Sequence, residues 1–247
     1  MEYTESIIFK SDISRMTEAV AEIRAKIDTA AREAGRAPGA VRLCAACKTR
    51  TPEVVRASAA LPIDLFGENH VQELVRNFDA DAYCGKPAHL IGHLQTNKLK
   101  KVLGRASLIQ SVDSARLLDA IDAEAGKLGI RQAVLLEINI GGEESKTGIA
   151  PDTLLPLLEA AAAKPHITVK GLMAIPPVNT DDAANRTFFA AMRELAAKAE
   201  AQHYANVTMD ELSMGMSDDY ENAVREGATI VRIGTAIYGA RDYGPKA

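Results

Sequence analysis

The sequence predicts a single α/β domain: an eight-stranded (β/α)8 barrel preceded by one extra helix. Three observations carry that prediction. Eight strand-like apolar runs alternate with helical stretches, strand first each time. The connections are short, with no Pro/Gly/Ser linker and no break in composition. The length, 247 residues, is that of one such barrel. A doubly wound open sheet is the competitor, but it usually needs a Gly-rich turn after its first strand to hold nucleotide phosphate. Here that turn reads Lys48-Thr49-Arg50-Thr51-Pro52. One domain is therefore expected over 1–247, with the barrel proper at about 41–241.

The elements follow in order. Met16, Val20, Ile23 and Ile27 recur at helical spacing over 14–34, Gly35 ends that helix, and it is expected to pack across the barrel. The run Val41-Arg42-Leu43-Cys44-Ala45-Ala46-Cys47-Lys48 reads as a buried first strand. Thr51 is placed to cap the helix 52–60, and Pro52 suits its first position. Further strands are expected at 64–69, 89–93, 108–113, 133–140, 169–175, 211–216 and 229–234. The intervening helices are expected at 71–78, 96–102, 114–128, 152–163, 181–201 and 218–226. Polar residues close most of the runs: Lys48, Glu68-Asn69, His93, Asp113, the stretch 213–217 and Gly234-Thr235. In a barrel those ends converge on one rim, where active sites are built.

Composition excludes some classes. A hydrophobic fraction of 47% with 25% charged residues is ordinary for a soluble globule with a sizeable core. A net charge of −4 gives no support to a general nucleic-acid or membrane-surface role. The start, Met1-Glu2-Tyr3-Thr4-Glu5, is acidic and lacks a signal-peptide core, and no apolar run spans a bilayer, so a cytoplasmic protein is expected. In that compartment the sequons at Asn185 and Asn206 carry no meaning. Cys44 and Cys47 match a redox spacing, but on a strand they point to opposite faces and read as core. His89 and His93 share a strand face without the partners of a zinc set, so no metal site is expected.

Lys48, at the end of the first strand, is placed to act as a neutral amine toward an aldehyde if burial disfavours its charge; the plainer reading is a lysine that snorkels into water. After strand seven comes Leu212-Ser213-Met214-Gly215-Met216-Ser217-Asp218-Asp219, where Gly215 permits close backbone approach and Ser217 can cap a helix or meet an anion. Strand eight ends in Val231-Arg232-Ile233-Gly234-Thr235, and barrels commonly bind phosphate with these two loops. Arg232 shares a strand face with Gly234 and needs an acceptor: a phosphate, a heterocyclic nitrogen, or an interior carboxylate such as Glu137. An amine, a phosphate socket and a cation facing a ring nitrogen together fit pyridoxal 5′-phosphate.

At these residues the chain resembles the pyridoxal-phosphate homeostasis proteins, the YggS/PROSC family, from about residue 19 to 241. The motifs are Ala46-Cys47-Lys48-Thr49, Phe66-Gly67-Glu68-Asn69-His70-Val71-Gln72-Glu73, His89-Leu90-Ile91-Gly92-His93-Leu94-Gln95-Thr96-Asn97-Lys98, Glu137-Ile138-Asn139 with Lys146-Thr147-Gly148, Gly171-Leu172-Met173, and the two loops above. The resemblance implies a fold-type III barrel similar to the alanine racemase amino-terminal domain. It implies Lys48 as the lysine that carries pyridoxal phosphate as a Schiff base. It places Met216, Ser217, Gly234 and Thr235 around the phosphate, Arg232 at the pyridine nitrogen and Asn69 near the ring, with His93 and Met214 lining the site. Leu90 and Tyr238 stand where the family often has Phe.

The function expected is reversible binding of the cofactor for vitamin B6 homeostasis, by a monomer that hands it to apo forms of pyridoxal-phosphate enzymes. No catalytic residue is assigned. An arginine at the ring nitrogen weakens carbanion chemistry, and the chain ends at Tyr243-Gly244-Pro245-Lys246-Ala247, before the second domain that supplies a racemase with its opposing acid–base residue. The alternatives are a racemase-like or lyase enzyme of the same fold type, with a residue such as His93 as second base, and an aldolase using Lys48. Lys98, Lys100 and Lys101 form a small basic cluster, read as a solvated helix face or a docking patch for an acidic recipient.

Overall fold

A computed structural model describes residues 2–177 and 181–239, with side chains from residue 11 onward. Met1, the last residues of the expected barrel span (240–241) and the tail from Tyr243 to Ala247 lie outside the described residues. The strands are β1 (Arg42–Ala46), β2 (Leu65–Glu68), β3 (Ala88–Leu90), β4 (Leu108–Val112), β5 (Gln132–Ile138), β6 (Ile167–Ala174), β7 (Val207–Ser213) and β8 (Ile230–Ile233). All pair in parallel in sequence order, and β8 returns to β1 to close the barrel. The helices are α1 (Glu2–Glu33), α2 (Pro52–Ala59), α3 (Val71–Asp79), α4 (Leu99–Val102), α5 (Ala115–Leu128), α6 (Leu154–Ala162), α7 (Asp182–Glu200), α8 (Tyr220–Arg225) and α9 (Thr235–Tyr238). Single 3-10 turns precede α4 and α6.

The predicted helices fall within a few residues of the observed ones, except that α1 begins well before residue 14. Its face Met16, Val20, Ile23, Ile27, Ala30 and Ala31 is buried. It packs on α8 and α9 outside the barrel rather than across it, and Arg225 pairs with Glu33 at 2.9 Å. Ser114 caps α5 by accepting from the Leu117 N–H, and left-handed Gly129 ends it. Thr51 occupies the N-cap of α2 in extended conformation, but its hydroxyl serves Glu53 instead of the helix backbone.

Strand boundaries moved where neighbours, not composition, decide. β3 stops at Leu90, so His93 lies beyond it and does not share a strand face with His89. β7 starts at Val207 because β6 pairs with it there, although its alternate residues are only half-buried and read as loop. It ends at Ser213, since Gly215 turns the chain with φ +92.

Two hydrophobic layers result. Inside the barrel Cys44, Leu65, Leu108, Leu135, Met173 and Ile230 form one buried cluster. Cys47 belongs instead to the larger core between strands and helices, as the odd spacing from Cys44 requires. Burial pushes the Cys44 thiol up to about 12 and the Cys47 thiol well above its ordinary range, so both are inert core sulfurs.

Glu68 also faces outward, against α3. It is fully buried, and Oε1 accepts from Asn77 Nδ2 at 2.6 Å and Tyr83 Oη at 3.0 Å. Glu68 Oε2 and Asn77 Oδ1 have no partner among the described residues. Burial, opposed by those two hydrogen bonds, raises the Glu68 carboxyl to about 7. A raised folded-state pKa means that the native state holds the proton longer than the unfolded chain. The contribution is therefore full below the ordinary carboxyl value of 4.5 and lost as pH rises through about 7. The native protein is expected to lose on the order of 3 kcal/mol from this group between pH 4 and 8. Glu68→Gln is expected to flatten that part of the pH–stability curve, measured by urea unfolding at each pH.

Candidate ligand site at the barrel mouth

The carboxyl ends of β1, β2, β7 and β8 meet around one cleft. It is lined by Lys48, Asn69, Met216, Ser217, Arg232, Gly234 and Thr235, together with Ala46, Arg50, Ile91, Ile175, Asp218, Tyr238 and Gly239. Two expected residues are elsewhere. Met214 is fully buried in the outer core, because it sits one residue from Ser213 and faces the opposite way. His93 is exposed, 3.6 Å from Asp113, on a part of the rim outside the cleft lining.

Lys48 is half-buried. The lysine ion pairs among the described residues involve Lys26, Lys127, Lys146, Lys164 and Lys170, and Lys48 is in none of them. The turn after it is held from both sides. Thr49 adopts φ +67, a strained conformation for a β-branched residue, and its N–H donates to Glu73 Oε1 at 2.9 Å. One turn along α3, Arg76 donates to the Arg50 carbonyl. The Arg50 guanidinium lies 5.6 Å over the Tyr238 ring and donates to Gly239 O at 3.0 Å. Glu73→Ala is expected to free the Thr49 amide, so that its hydrogen exchange quickens about tenfold, as losing a bond of about 1.4 kcal/mol would give. Unchanged protection at Thr49 would show that the turn holds itself.

Asn69 follows β2 and reaches the cleft while Glu68 turns away from it. Its position depends on Gly92, since a Cβ there would lie 2.2 Å from Asn69 O.

On the other side, Gly234 begins α9 without a side-chain cap, and the Ala236 N–H meets Ser217 Oγ at 3.4 Å. Ser217 thus faces the start of α9 and does not cap α8. A Cβ on Gly234 would lie 3.1 Å from Ala46 O, so a side chain would crowd the cleft wall. The Met216 N–H, expected toward an anion, donates to Asp219 Oδ1 at 2.6 Å. The chain supplies its own carboxylate there. Gly215 also differs from expectation: a Cβ there would lie 2.6 Å from Ala223 Cβ, so its missing side chain makes room for α8.

Arg232 is buried among neutral acceptors. Nη1 donates to Ser213 Oγ at 2.6 Å and Nη2 to Ala174 O at 2.9 Å. Glu137, offered by the sequence as an ion-pair partner, instead accepts from Thr147 Oγ1 at 2.5 Å. Burial lowers the Arg232 pKa from its ordinary value, with Cys44, Glu137 and Asp219 acting the other way. Ser213 Oγ donates on to Gln110 Oε1 at 2.7 Å, and Gln110 Nε2 lies 2.8 Å from His89 Nδ1. The sequence reading missed this chain. Its signal was one glutamine in the fully buried strand Leu108-Ile109-Gln110-Ser111-Val112.

Residues 19–242 match the alanine racemase N-terminal domain family. A pyridoxal phosphate homeostasis protein of Aquifex aeolicus is 42% identical over 226 residues, which is 92% of this chain and 98% of that protein. The chain belongs to this family. A second homeostasis protein, from Pseudomonas aeruginosa, is 40% identical over 95% of this chain and the whole of that one. The structure of PipY from Synechococcus elongatus with PLP bound superposes with a TM-score of 0.77 at 32% identity, covering 91% of this chain and 100% of that one. Tyr238, where the family resemblance anticipated Phe, keeps its ring in the core and adds bonds from its hydroxyl to Ser58 Oγ at 3.0 Å and Cys47 Sγ at 3.6 Å.

Proposed function

We propose that this protein binds pyridoxal 5′-phosphate reversibly at Lys48 and serves as a reserve from which apo pyridoxal-phosphate enzymes are loaded. The observation that carries the reading is that Lys48, Arg232 and the Ser217–Gly234–Thr235 group line one cleft. When bound, the cofactor supplies an aldehyde that condenses with amines and a conjugated ring that can draw electrons. The remaining chemistry belongs to the chain. Lys48 offers an amine that takes part in none of the ion pairs among the described residues. Ser217, Gly234 and Thr235 would receive the phosphate at the start of α9, where a side chain on Gly234 would intrude. Arg232 would meet the pyridine nitrogen as a permanent cation, which disfavours a second positive charge beside it. Asn69 would orient the ring. That environment favours holding the cofactor over driving carbanion chemistry, and its named relatives are homeostasis proteins.

The test is an absorbance spectrum of the protein mixed with pyridoxal 5′-phosphate, followed by borohydride reduction and peptide mass mapping. A visible band and an adduct on Lys48 are expected. A colourless protein, or an adduct spread over surface lysines, would overturn the reading. Exchange of an amino acid's α-proton into deuterated water at enzyme-like rates would make it an enzyme instead of a reserve.

A further inference from the structure

The barrel interior holds a line of polar side chains that the binding reading leaves unused. Arg232 on β8, Ser213 on β7, Gln110 on β4 and His89 on β3 are each buried. They form a continuous series of bonds of 2.6, 2.7 and 2.8 Å. Its direction is fixed from one end. Arginine can only donate, so Ser213 Oγ must accept from it and send its own proton to Gln110 Oε1. Gln110 then presents its amide N–H to His89 Nδ1, which must accept, leaving the imidazole proton on Nε2. A charged His89 would donate from both nitrogens and force Gln110 to turn. Ser213 would then face two donors with no acceptor for its own proton. Burial first, and the nearby Arg42 second, push His89 down to about 3, in keeping with a neutral ring.

The hydrogen-bond acceptors of the cation, Ser213 Oγ and Ala174 O, carry no charge. Glu137 and Asp219 act on it only through space, and Glu137 accepts from Thr147. Neutral acceptors orient a guanidinium without cancelling its charge, whereas a carboxylate would do both.

We propose that Ser213 and Gln110 are positioning residues that hold Arg232 in one orientation at the cleft with no carboxylate bonded to it, so that its guanidinium stays directed at a ligand's ring nitrogen. This rests on the pyridoxal-phosphate reading.

The experiment compares the native protein, Ser213→Ala and Ser213→Thr in spectrophotometric titrations with pyridoxal 5′-phosphate, alongside nitrogen-15 NMR of the His89 imidazole. Ser213→Ala leaves Arg232 Nη1 without its acceptor and is expected to weaken uptake about tenfold, while Ser213→Thr, which keeps the hydroxyl, restores it. The native imidazole is expected to stay neutral with its proton on Nε2 down to pH 5, and to lose that preference in the alanine variant, where nothing fixes the Gln110 amide. Equal uptake by the alanine variant, no recovery with threonine, or a native His89 that titrates above pH 5 would overturn the proposal. Failure of the native protein to take up the cofactor at all would remove the binding reading, and this inference with it, before any variant is compared.

Discussion

Lys48→Ala is expected to abolish the visible absorbance that develops with pyridoxal 5′-phosphate and to weaken its retention by a factor of about 100 or more, about 3 kcal/mol. The substitution removes the amine and little else. Lys48 follows β1 by two residues, is half-buried and takes part in none of the described ion pairs, so the fold has small dependence on it. The expected change in stability is within about 0.5 kcal/mol, as for surface positions without a named structural role. Ser217, Gly234, Thr235 and Arg232 remain, and the cofactor should still bind weakly and without covalent attachment. Spectrophotometric titration gives the affinity, and urea unfolding without cofactor gives the stability. Uptake equal to that of the native protein would mean that another amine does the work.

Gly92→Ala is expected to destabilise the protein by on the order of 3 kcal/mol and to impair binding at the same time. The added Cβ would sit 2.2 Å from Asn69 O and 2.9 Å from Asn69 C and Cα. These are backbone atoms, so no rotamer change relieves the contact. Either the segment after β3 lifts away or the end of β2 shifts and carries Asn69 out of the cleft. Gly92 O also accepts from Ser111 Oγ at 2.7 Å, which ties the same residue to β4 and resists the first escape. Chemical denaturation measures the stability. A native-like midpoint with native-like cofactor uptake would show that the two strand ends do not depend on this close approach.

The barrel was legible because its signals are local. Apolar runs, the Gly35 stop and the alternation that separates Cys44 from Cys47 need only a few neighbouring residues to be read. The rim residues were legible for a related reason. A polar residue that ends a buried run must face either solvent or a site, and parallel order sends all such ends to one side. Met214 and His93 failed because the exact end of a strand decides which way the next side chains point. Those ends are set by pairing with another strand or by a turn such as Gly215, and a run of apolar letters does not mark them.

The sequence by itself determined the eight-fold order, the inert cysteines and the two loops that flank Lys48, since periodicity and turn chemistry act over short distances. Only the tertiary structure decided that Asp219 takes the Met216 N–H, that Glu73 and Arg76 hold the turn beyond Lys48, and that Arg232 rests on Ser213 rather than Glu137. Those contacts join residues between three and 26 positions apart. Which of several possible acceptors a buried donor finds is settled by the closure of the barrel, and until the strands meet each of those groups is equally well served by water.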